Sequence, residues 1–536
     1  MKGNTMTTNR RRRGPARRPR ANLAPRASLS LGAVLLGVCG AILPATEPAR
    51  AAERPNIVFI LIDDQRFDAA AALGHAFLET PHLDRLIERG VLFENAFVTT
   101  SLCSPSRASI LTGQYAHRHG VLDNRTRLDP ETPTFPQELQ RAGYRTAFVG
   151  KWHMGGTSDE PRPGFDRWVS FPGQGLYYNQ TFNIDGERVP RQGYTTDLIT
   201  DYALDFLAAR AGSEEPFLLY VSHKAVHAPF RPAERHLGSY AGQRYPPPAT
   251  MPNRHDNYEG KPNWVEAQRR SWHGVDGLYD NSVDFQQFAL DYAETMRGVD
   301  DSVGRIVEAL EERDLLEETL LVFTSDNGFQ FGEHGLIDKR TMYEASIRVP
   351  LMVMAPWLDG GAGGLRRSEM IVNLDFAPTF LEAAGVDVPD TVQGRSFFGL
   401  LETGPGEEPP PWRDAFLYEY FWERAFPQTP TVLGVRTDRY KFMRFHGVWD
   451  RYELYDVQAD PEERRNLLAG FITRHGAGNV EARLRVAAAS ASRNPRDDWA
   501  REVLELKALF DRLSGRLDEL LDETGALREP SWLPSR

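Results

Sequence analysis

Oxygen-bearing side chains follow two apolar runs of the sequence, at 57–62 and 320–324, and together could bind a metal ion. They are Asp63, Asp64, Asp326 and Asn327. Carboxylate and amide oxygens favour Ca²⁺ or Mg²⁺ over zinc, which prefers nitrogen and sulfur ligands. The adjacent carboxylates would also repel each other without a cation between them. A single pair of this kind more often forms a turn, so the prediction of a metal site depends on both pairs following similar runs.

Basic and imidazole side chains follow two further apolar runs, at 146–149 and 217–221. They are Lys151, His153, His223 and His227. A lysine can bind an anion, and a histidine can transfer a proton near neutral pH. Each of these residues taken alone is more typical of a solvated loop or of a hydrogen-bonded structural histidine. His223 is not included among the candidate site residues.

The four apolar runs are the elements that must position these side chains. Runs of β-branched and aliphatic residues are typical of strands buried on both faces, as in a parallel sheet. Helix-like segments lie between them, for example at 135–143 and 300–314. Ligands of an open α/β sheet bind beyond the carboxyl ends of the strands, so the polar residues would meet in one crevice. The pattern predicts an α/β fold with a mostly parallel central sheet flanked by helices.

Cys103 begins the stretch CSPSRASILTG, which has the composition of a helix start. We predict Ser104 as the N-cap, Pro105 in the first turn and Gly113 at the end of the helix. Free N–H groups and the helix dipole favour an anion at such a position, and Arg107 adds a guanidinium one turn later. Cys103 is therefore predicted to lie beside an anion site.

Residues 1–51 have the layout of an export signal: an arginine-rich start, the apolar run LSLGAVLLGVCGAIL and the small residues ARA at 49–51. The apolar run is short for a bilayer span, and an uncleaved membrane anchor is the alternative. Export predicts a periplasmic or secreted protein with no stable membrane insertion. Cleavage would remove Cys39 and leave Cys103 without a disulfide partner, so its thiol must be buried, reactive or modified.

The charge balance excludes some classes of partner. Residues 1–51 hold ten of the 63 Lys and Arg residues but one of the 74 Asp and Glu residues, so the rest of the chain has 53 basic and 73 acidic side chains and a net charge of −20. Such a surface repels nucleic acid and anionic membranes. An anionic substrate would therefore need a local cluster of positive charge.

Five motifs, in the same order, resemble those of the formylglycine-dependent sulfatases, which are relatives of alkaline phosphatase. The motifs are CSPSR at 103–107, GKWH at 150–153, HAPF at 227–230, DNG at 326–328 and HGLIDK at 334–339. One of these motifs alone would be a weak indication, but five in order are specific. The similarity extends over residues 54–470, which is most of the chain after the export signal.

The resemblance implies that a maturase oxidises Cys103 to formylglycine (3-oxoalanine), whose aldehyde is then hydrated. One hydroxyl of the hydrate would attack sulfur, and the second would drive release of sulfate. The resemblance also implies Ca²⁺ rather than Mg²⁺ as the bound cation. Its implied ligands are Asp63, Asp64, Asp326, Asn327 and an oxygen of the modified Cys103.

The family motifs imply further roles for individual residues. Arg107 would hold an oxygen of the hydrate, and Lys151 and Lys339 would bind sulfate oxygens. His227 would give a proton to the leaving alcohol, and His153 would assist the second hydroxyl. Four flanking residues are expected to pack or to hydrogen-bond behind the site: His117, His119, Glu333 and His334.

A Pro- and Gly-rich junction at 400–415 is the best candidate for a domain boundary. We predict a catalytic sulfatase domain at 52–405 and a small α+β domain with an antiparallel sheet at 412–475. Residues 476–536 are predicted to form a helical extension, because 497–523 has the pattern of an amphipathic helix.

A long insertion at 245–277 contains Trp264 and Trp272, which could stack on a sugar ring. Burial of these tryptophans in a stable surface loop is the alternative. The insertion and SHKAVHAPF at 222–230 resemble N-acetylglucosamine-6-sulfatases, which implies a sulfated carbohydrate as substrate and inorganic sulfate as product. Two alternatives stay open: hydrolysis of aryl sulfates or phosphonate monoesters, and non-catalytic binding of sulfated glycans if Cys103 is not modified.

Overall fold

Eleven strands form a large mixed sheet in the part of the chain that the computed structural model describes, residues 54–358, 360–361 and 363–528. The predicted export signal lies outside the described residues. The strands are β1 (Asn56–Ile62), β2 (Val91–Phe97), β3 (Arg145–Lys151), β4 (Arg167–Phe171), β5 (Thr181–Ile184), β6 (Glu187–Pro190), β7 (Phe217–Ser222), β8 (Thr319–Ser325), β9 (Arg348–Val349), β10 (Leu351–Met354) and β11 (Leu365–Val372). A short ladder pairs Gln330–Phe331 with Ile337–Asp338.

The centre of this sheet consists of parallel strands in the order β8-β1-β7-β3-β4. Strands β1, β7 and β8 are buried along their whole length. Burial on both faces explains why their sequences are continuous apolar runs instead of alternating ones. The four runs predicted as strands correspond to β1, β3, β7 and β8, and the α/β fold with a mostly parallel sheet is confirmed.

Hydrophobic clusters cover both faces of the sheet. Alternate residues of β1 belong to different clusters: Phe59 packs on one side, whereas Val58 and Ile60 pack on the other. This alternation is the period of two that a strand imposes on its side chains. Two layers of apolar side chains therefore hold the strands in place. The polar residues that follow the parallel strands lie together at the carboxyl ends of these strands.

Fourteen α-helices are described in the same residues, where no helix is long and apolar enough to cross a membrane. They are α1 (Pro81–Arg89), α2 (Cys103–Thr112), α3 (Ala116–His119), α4 (Phe135–Arg141), α5 (Thr195–Arg210), α6 (His255–Tyr258), α7 (Asn263–Gln268), α8 (Phe285–Glu311), α9 (Glu344–Ile347), α10 (Phe376–Ala383), α11 (Phe398–Glu402), α12 (Ala469–His475), α13 (Val480–Ala491) and α14 (Asp498–Thr524). The predicted helical segments correspond to α4, to the second half of α8 and to α14.

A smaller antiparallel sheet follows, with β12 (Ala415–Tyr420), β13 (Thr431–Thr437), β14 (Tyr440–His446) and β15 (Tyr452–Asp456) in sequential order. This confirms the predicted small antiparallel sheet. The sheet shares one hydrophobic cluster with the large sheet: the rings of Phe97 in β2 and Phe416 in β12 lie 5.2 Å apart. Helix α14 covers the small sheet, where Phe510 packs 5.2 Å from Phe442. The boundary near 405–412 stays a prediction.

The insertion at 245–277 is more ordered than its sequence suggests. It contains two short helices, α6 and α7. Arg269 holds the segment together, because its guanidinium donates to the carbonyl oxygen of Met251 at 2.5 Å and to Asp276 at 2.6 Å. The segment is therefore a folded connection and not an irregular loop.

Candidate active site

The carboxyl ends of β1 and β8 bring the predicted metal ligands together. The parallel register pairs Ile62 with Ser325, so the residues that follow them lie side by side. The backbone N–H of Asp64 donates to Asp326 Oδ1 at 3.1 Å. One carboxylate oxygen from each of Asp63, Asp64 and Asp326 lies within 4.8 Å of the others, and all three residues are buried. We call these three residues the acidic cluster.

Burial makes the ionised form of two carboxylates in the acidic cluster unfavourable. Burial, with further repulsion from Asp63 and Asp326, raises the pKa of Asp64 to about 7 although Lys339 opposes the shift. Burial and repulsion from Asp63 likewise raise the pKa of Asp326 to about 6. Carboxylates in such a position require nearby positive charge to stay ionised.

Asn327 supplies the observation that tests whether the cluster fits a cation. Its Nδ2 donates to Asp64 Oδ1 at 2.6 Å, whereas its Oδ1 is buried and has no hydrogen-bond partner among the described residues. A buried carbonyl oxygen without a donor is costly unless a cation satisfies it. The donor set of three carboxylates and one amide oxygen therefore fits a hard divalent cation such as Ca²⁺ or Mg²⁺.

Cys103 opens helix α2 beside this cluster and has no exposed surface. Its thiol donates to Asp63 Oδ1 at 3.4 Å. Burial, reinforced by the Asp63 carboxylate, raises the pKa of the Cys103 thiol. The unmodified side chain would thus be a protonated thiol at neutral pH and a poor nucleophile.

The predicted N-cap at Ser104 is wrong. Leu102 is the N-cap residue, with extended backbone angles (φ −155°, ψ 135°), and Ser104 lies inside the first turn. The Ser104 hydroxyl donates to the carbonyl oxygen of His153 at 2.5 Å. Ser104 therefore hydrogen-bonds the start of the helix to the segment after β3 instead of capping the helix.

Arg107 connects three strand ends through its guanidinium. Nε donates to Asp326 Oδ2 at 2.8 Å, and Nη1 donates to the Lys151 carbonyl oxygen at 2.7 Å and to Ser222 Oγ at 2.6 Å. Nη2 has no hydrogen-bond partner in the described part of the chain and lies 3.9 Å from Asp63 Oδ1. One donor of a fully positioned arginine is thus available to an oxygen near Cys103.

Two buried lysines complete the positive charge around the cluster. Lys339 Nζ donates to both carboxylate oxygens of Asp64 at 2.6 Å. Lys151 Nζ contacts Asp63 and donates to Gln174 Oε1 at 2.5 Å. The opposite charges lie within contact distance and are buried, so their attraction is stronger than at a solvent-exposed surface.

The two predicted histidines both reach the site. His227 Nε2 lies 3.8 Å from Asp64 Oδ2, and its Nδ1 donates to the Ala228 carbonyl oxygen at 2.5 Å. His153 is 6% exposed and its Nδ1 lies 3.5 Å from Ser104 Oγ. Burial, followed by repulsion from nearby lysines, lowers the pKa of both imidazoles. Both histidines are neutral at neutral pH unless an anion binds beside them.

The two tryptophans of the insertion lie in different places. Trp264 is half-buried and packs against Phe445 of the small sheet, with ring centroids 5.6 Å apart. Trp272 is 45% exposed and its ring lies 4.1 Å from that of Tyr279. Its neighbour His273 lies 3.5 Å from Asp338, the residue before Lys339. Trp272 is therefore the more exposed of the two tryptophans, and sugar binding by either residue stays a prediction.

The flanking residues that were expected to lie behind the site make structural contacts. His117 Nδ1 lies 2.9 Å from Glu419 Oε2, and His119 Nε2 lies 3.1 Å from Ser109 Oγ. The remaining pairs are Glu333 with Arg66 at 2.8 Å and the ring of His334 with that of Tyr343 at 3.9 Å. His223, which was not among the candidate site residues, has its Nε2 3.0 Å from Ser302 Oγ.

Lys224 is a residue near the site that the sequence reasoning missed. It is 5% exposed, and its Nζ lies 4.4 Å from the ring centroid of Tyr177. The Tyr177 hydroxyl donates to the carbonyl oxygen of His227 at 2.8 Å. Burial lowers the pKa of Lys224 to about 8. Its position directly after the apolar run of β7 was a signal of the same kind as that of Lys151.

The chain matches sulfatases over most of its length. The family profile described as Sulfatase matches residues 55–386, and a profile described as N-sulphoglucosamine sulphohydrolase, C-terminal, matches residues 332–487. An N-acetylglucosamine-6-O-sulfatase of Bacteroides thetaiotaomicron is 35% identical over 496 residues, which cover 82% of this chain and 86% of the relative.

Solved structures share the fold. A protein in complex with its substrate D-glucosamine-2-N,6-O-disulfate has a TM-score of 0.75 and 31% sequence identity, and the match covers 88% of this chain and 98% of the other. A phosphonate monoester hydrolase of Agrobacterium radiobacter has a TM-score of 0.65 and 25% identity, with 81% of this chain and 96% of the other covered.

Proposed function

Because the chain belongs to the sulfatase family, we propose that it removes sulfate from the 6-position of glucosamine-type sugars and releases inorganic sulfate. The observation that carries the proposal is the position of Cys103, which lies beside the acidic cluster and the three buried basic side chains that contact this cluster, Arg107, Lys151 and Lys339. Such a site can neutralise the negative charge of a bound sulfate ester and the additional charge that develops as the ester bond breaks. The name of the bacterial relative and the substrate of the solved neighbour support a glucosamine 6-sulfate group.

Two groups that the family uses fit the residues present. We propose that a maturase oxidises Cys103 to formylglycine and that the acidic cluster and Asn327 hold Ca²⁺ or, less favourably, Mg²⁺. When present, the hydrated aldehyde would supply two hydroxyl groups on one carbon, and the cation would lower the pKa of the attacking hydroxyl and neutralise sulfate. The raised pKa of the Cys103 thiol supports the need for such a modification.

The basic side chains bind and orient the sulfate group in this proposal. Arg107 Nη2 is the donor that can contact an oxygen at position 103. A lysine ammonium has three N–H donors, so Lys339 keeps one for a sulfate oxygen after it contacts both oxygens of Asp64. Lys151 approaches from the β3 side and would bind a second oxygen.

The histidines move protons in this proposal. Because His227 Nδ1 donates to the Ala228 carbonyl oxygen, its Nε2 faces the acidic cluster and is the nitrogen that can carry a proton to the leaving alcohol. A bound sulfate ester would favour the protonated imidazole and so oppose the effect of burial. His153, next to Ser104 at the start of α2, would accept a proton during sulfate release.

The test is sulfate release from defined substrates by protein made in a host that forms formylglycine. We expect turnover of glucosamine 6-sulfate and N-acetylglucosamine 6-sulfate and at least a thousandfold loss in Cys103→Ala, about the size that removal of a nucleophile causes. Mass spectrometry of the peptide that contains residue 103 reports the modification. An unmodified thiol in protein from the native host, with binding of sulfated glycans but no turnover, would instead support a non-catalytic binder.

A second candidate is hydrolysis of aryl sulfates or phosphonate monoesters, which the likeness to a phosphonate monoester hydrolase favours. The two candidates share the nucleophile but differ in the group attached to the ester oxygen and, for phosphonates, in the atom attacked, which is phosphorus instead of sulfur. The same assay with p-nitrophenyl sulfate and phenyl p-nitrophenyl phosphonate separates them. Turnover of the aryl esters without turnover of the sugars would contradict the glycan proposal.

We also propose that the protein is exported to the periplasm or the medium. The support is the composition of residues 1–51, with a basic start, a short apolar run and the sequence ARA at its end. N-terminal sequencing of protein from cell fractions tests the proposal. A chain that starts after Ala51 and lies outside the cytoplasm is expected, and an intact N-terminus in the cytoplasm would contradict it.

A further inference from the structure

A tyrosine of the small sheet contacts the two segments that carry Cys103 and Lys339. Tyr418, in β12, is completely buried. Its hydroxyl lies 2.6 Å from Ser101 Oγ and 3.1 Å from the Thr341 carbonyl oxygen, and Ser101 Oγ lies 2.8 Å from the same carbonyl oxygen. Each hydroxyl has one proton, so one of them donates to the Thr341 carbonyl oxygen and the other donates to its neighbouring hydroxyl. The three groups form a closed triangle, which we call the Tyr418 triangle.

The corners of the Tyr418 triangle are close in sequence to residues of the proposed reaction. Ser101 lies two residues before Cys103, and Thr341 lies two residues after Lys339. The backbone N–H of Thr341 donates to the Lys339 carbonyl oxygen at 2.8 Å, so the turn after Lys339 is itself hydrogen-bonded. A displacement of any corner would therefore move the start of α2 relative to the turn that carries Lys339.

Contacts of Glu419, the residue after Tyr418, attach the small sheet to the same segment. The N–H of Glu419 donates to the Thr99 carbonyl oxygen at 2.9 Å, and the Glu419 carboxylate accepts from the N–H of His117 at 2.9 Å. Strand β12 thus contacts the chain both before and after helix α2. The small sheet is in direct contact with the elements that position Cys103.

A buried tyrosine hydroxyl needs a hydrogen-bond partner in any protein, and one partner would be sufficient for stability. Tyr418 differs because its two partners lie 240 residues apart in sequence and belong to the two sides of the site. On the basis of the proposed function, we propose that Tyr418 is a positioning residue, which fixes the distance between residue 103 and the Lys339 ammonium. It contacts neither substrate nor the reacting atoms.

The test compares two variants that each remove one buried hydroxyl, Tyr418→Phe and Tyr144→Phe. The Tyr144 hydroxyl donates to the Pro55 carbonyl oxygen at 2.9 Å, next to the amino end of β1 and so at the opposite edge of the sheet from the site. Small errors in the position of reacting groups cost large factors in rate, so kcat on glucosamine 6-sulfate should fall about 10- to 100-fold in Tyr418→Phe. KM should stay within about twofold, and Tyr144→Phe should keep the kcat of the wild type.

Two further measurements separate positioning from folding or modification. The melting temperature and the fraction of modified residue 103 should be the same in Tyr418→Phe as in Tyr144→Phe. In the Ser101→Ala background, Tyr418→Phe should cost less than in the wild type, because the two residues act through one triangle.

A kcat of Tyr418→Phe within twofold of Tyr144→Phe would overturn the inference. A loss of activity in proportion to lost modification of Cys103, or additive effects with Ser101→Ala, would overturn it as well. Absence of sulfate ester turnover by the modified wild-type protein is a different result, because it would contradict the proposed function itself.

Discussion

At the acidic cluster, Asp63, Asp64 and Asp326 contact Lys151, Lys339 and Arg107 in a volume without exposed surface. Each carboxylate has a basic partner, yet burial still raises the pKa of two of the three carboxyl groups. The Asn327 carbonyl oxygen has no donor within the described residues. The two raised pKa values and the unpaired Asn327 oxygen support the proposed cation at this cluster.

The first prediction concerns removal of that cation. A chelator should lower both the activity and the melting temperature, because an ion that binds only the folded state stabilises it by about 2.7 kcal/mol at one hundred times its Kd. Ca²⁺ should restore both, and the measurement is calorimetry together with the sulfate assay. Asp326→Asn should weaken the response to Ca²⁺, whereas the control Asp201→Asn, at an exposed ion pair, should keep it. No effect of chelator or Ca²⁺ on either quantity would contradict the metal site.

The residues of the site differ in how far the sequence could predict them. Asp63 and Asp326 were predictable because each directly follows a buried strand, and Lys151 was predictable because it ends such a strand within the motif GKWH. The role of Tyr418 was not predictable, because a tyrosine in an antiparallel strand looks like any other core residue. Its partners Ser101 and Thr341 are far away in sequence, and only tertiary packing brings the three together.

At the scale of elements, the parallel strands were predicted almost to the residue, because burial on both faces leaves a continuous apolar run. The start of α2 was predicted two residues too late, since Leu102 serves as N-cap without a side-chain hydrogen bond. The side-chain hydrogen bond that Ser104 makes to His153 depends on the neighbouring strand and has no local signature.

The second prediction concerns the two tryptophans of the insertion, of which Trp272 is the test position and Trp264 is the control. Trp272→Ala should raise KM for sugar sulfates about tenfold with little change in melting temperature, because a half-exposed ring can stack on a sugar. Trp264→Ala should leave KM unchanged and cost about 2 kcal/mol of stability, because its ring packs on Phe445. Kinetics and thermal unfolding of both variants distinguish the roles. An unchanged KM in Trp272→Ala would exclude a sugar contact there.

The third prediction concerns a buried group of charges between α9 and the small sheet. Lys441 Nζ lies 2.6 Å from Glu463 and 2.8 Å from Glu344, so two carboxylates share one ammonium. Burial, with repulsion from Glu344, raises the pKa of Glu463 from its usual value of 4.5 to about 7, although Lys441 opposes the shift. The folded state therefore binds this proton more tightly than the unfolded state, and stability from this group falls as pH rises from about 4.5 to about 7.

Glu463→Gln should remove this dependence. Relative to the wild type, its melting temperature should rise by about 2 °C between pH 5 and pH 8. The exposed neighbour Glu462 provides the control Glu462→Gln, which should show no such trend. Parallel pH profiles of the wild type and Glu463→Gln would show that Glu463 does not titrate in this range.

At the scale of the whole molecule, the two sheets share one hydrophobic cluster. Phe97 of the large sheet packs on Phe416 of the small sheet, and the guanidinium of Arg436 lies 5.2 Å from the ring centroid of Phe97. Helix α14 also reaches back to the catalytic region, because the Thr524 carbonyl oxygen lies 3.0 Å from His117 Nε2. The composition of the 400–415 junction suggested a boundary, but sequence alone could not show how much apolar surface crosses it.

The fourth prediction follows from this shared cluster. A chain that ends at residue 405 should be insoluble or lack a cooperative unfolding transition, because it would expose Phe97 and its neighbours to water. Solubility and calorimetry of the 52–405 chain measure this, with the 52–536 chain as control. A soluble 52–405 chain with a sharp transition would show that the catalytic region folds by itself.

The complete burial of Cys103 has a consequence for the order of events in the cell. A side chain with no accessible surface cannot enter the active site of another enzyme once the protein has folded. The proposed oxidation at this position would therefore have to compete with folding during or soon after synthesis, and a chain that folds first would stay unmodified and inactive. The yield of working enzyme would then depend on the relative speed of two processes that begin at the ribosome.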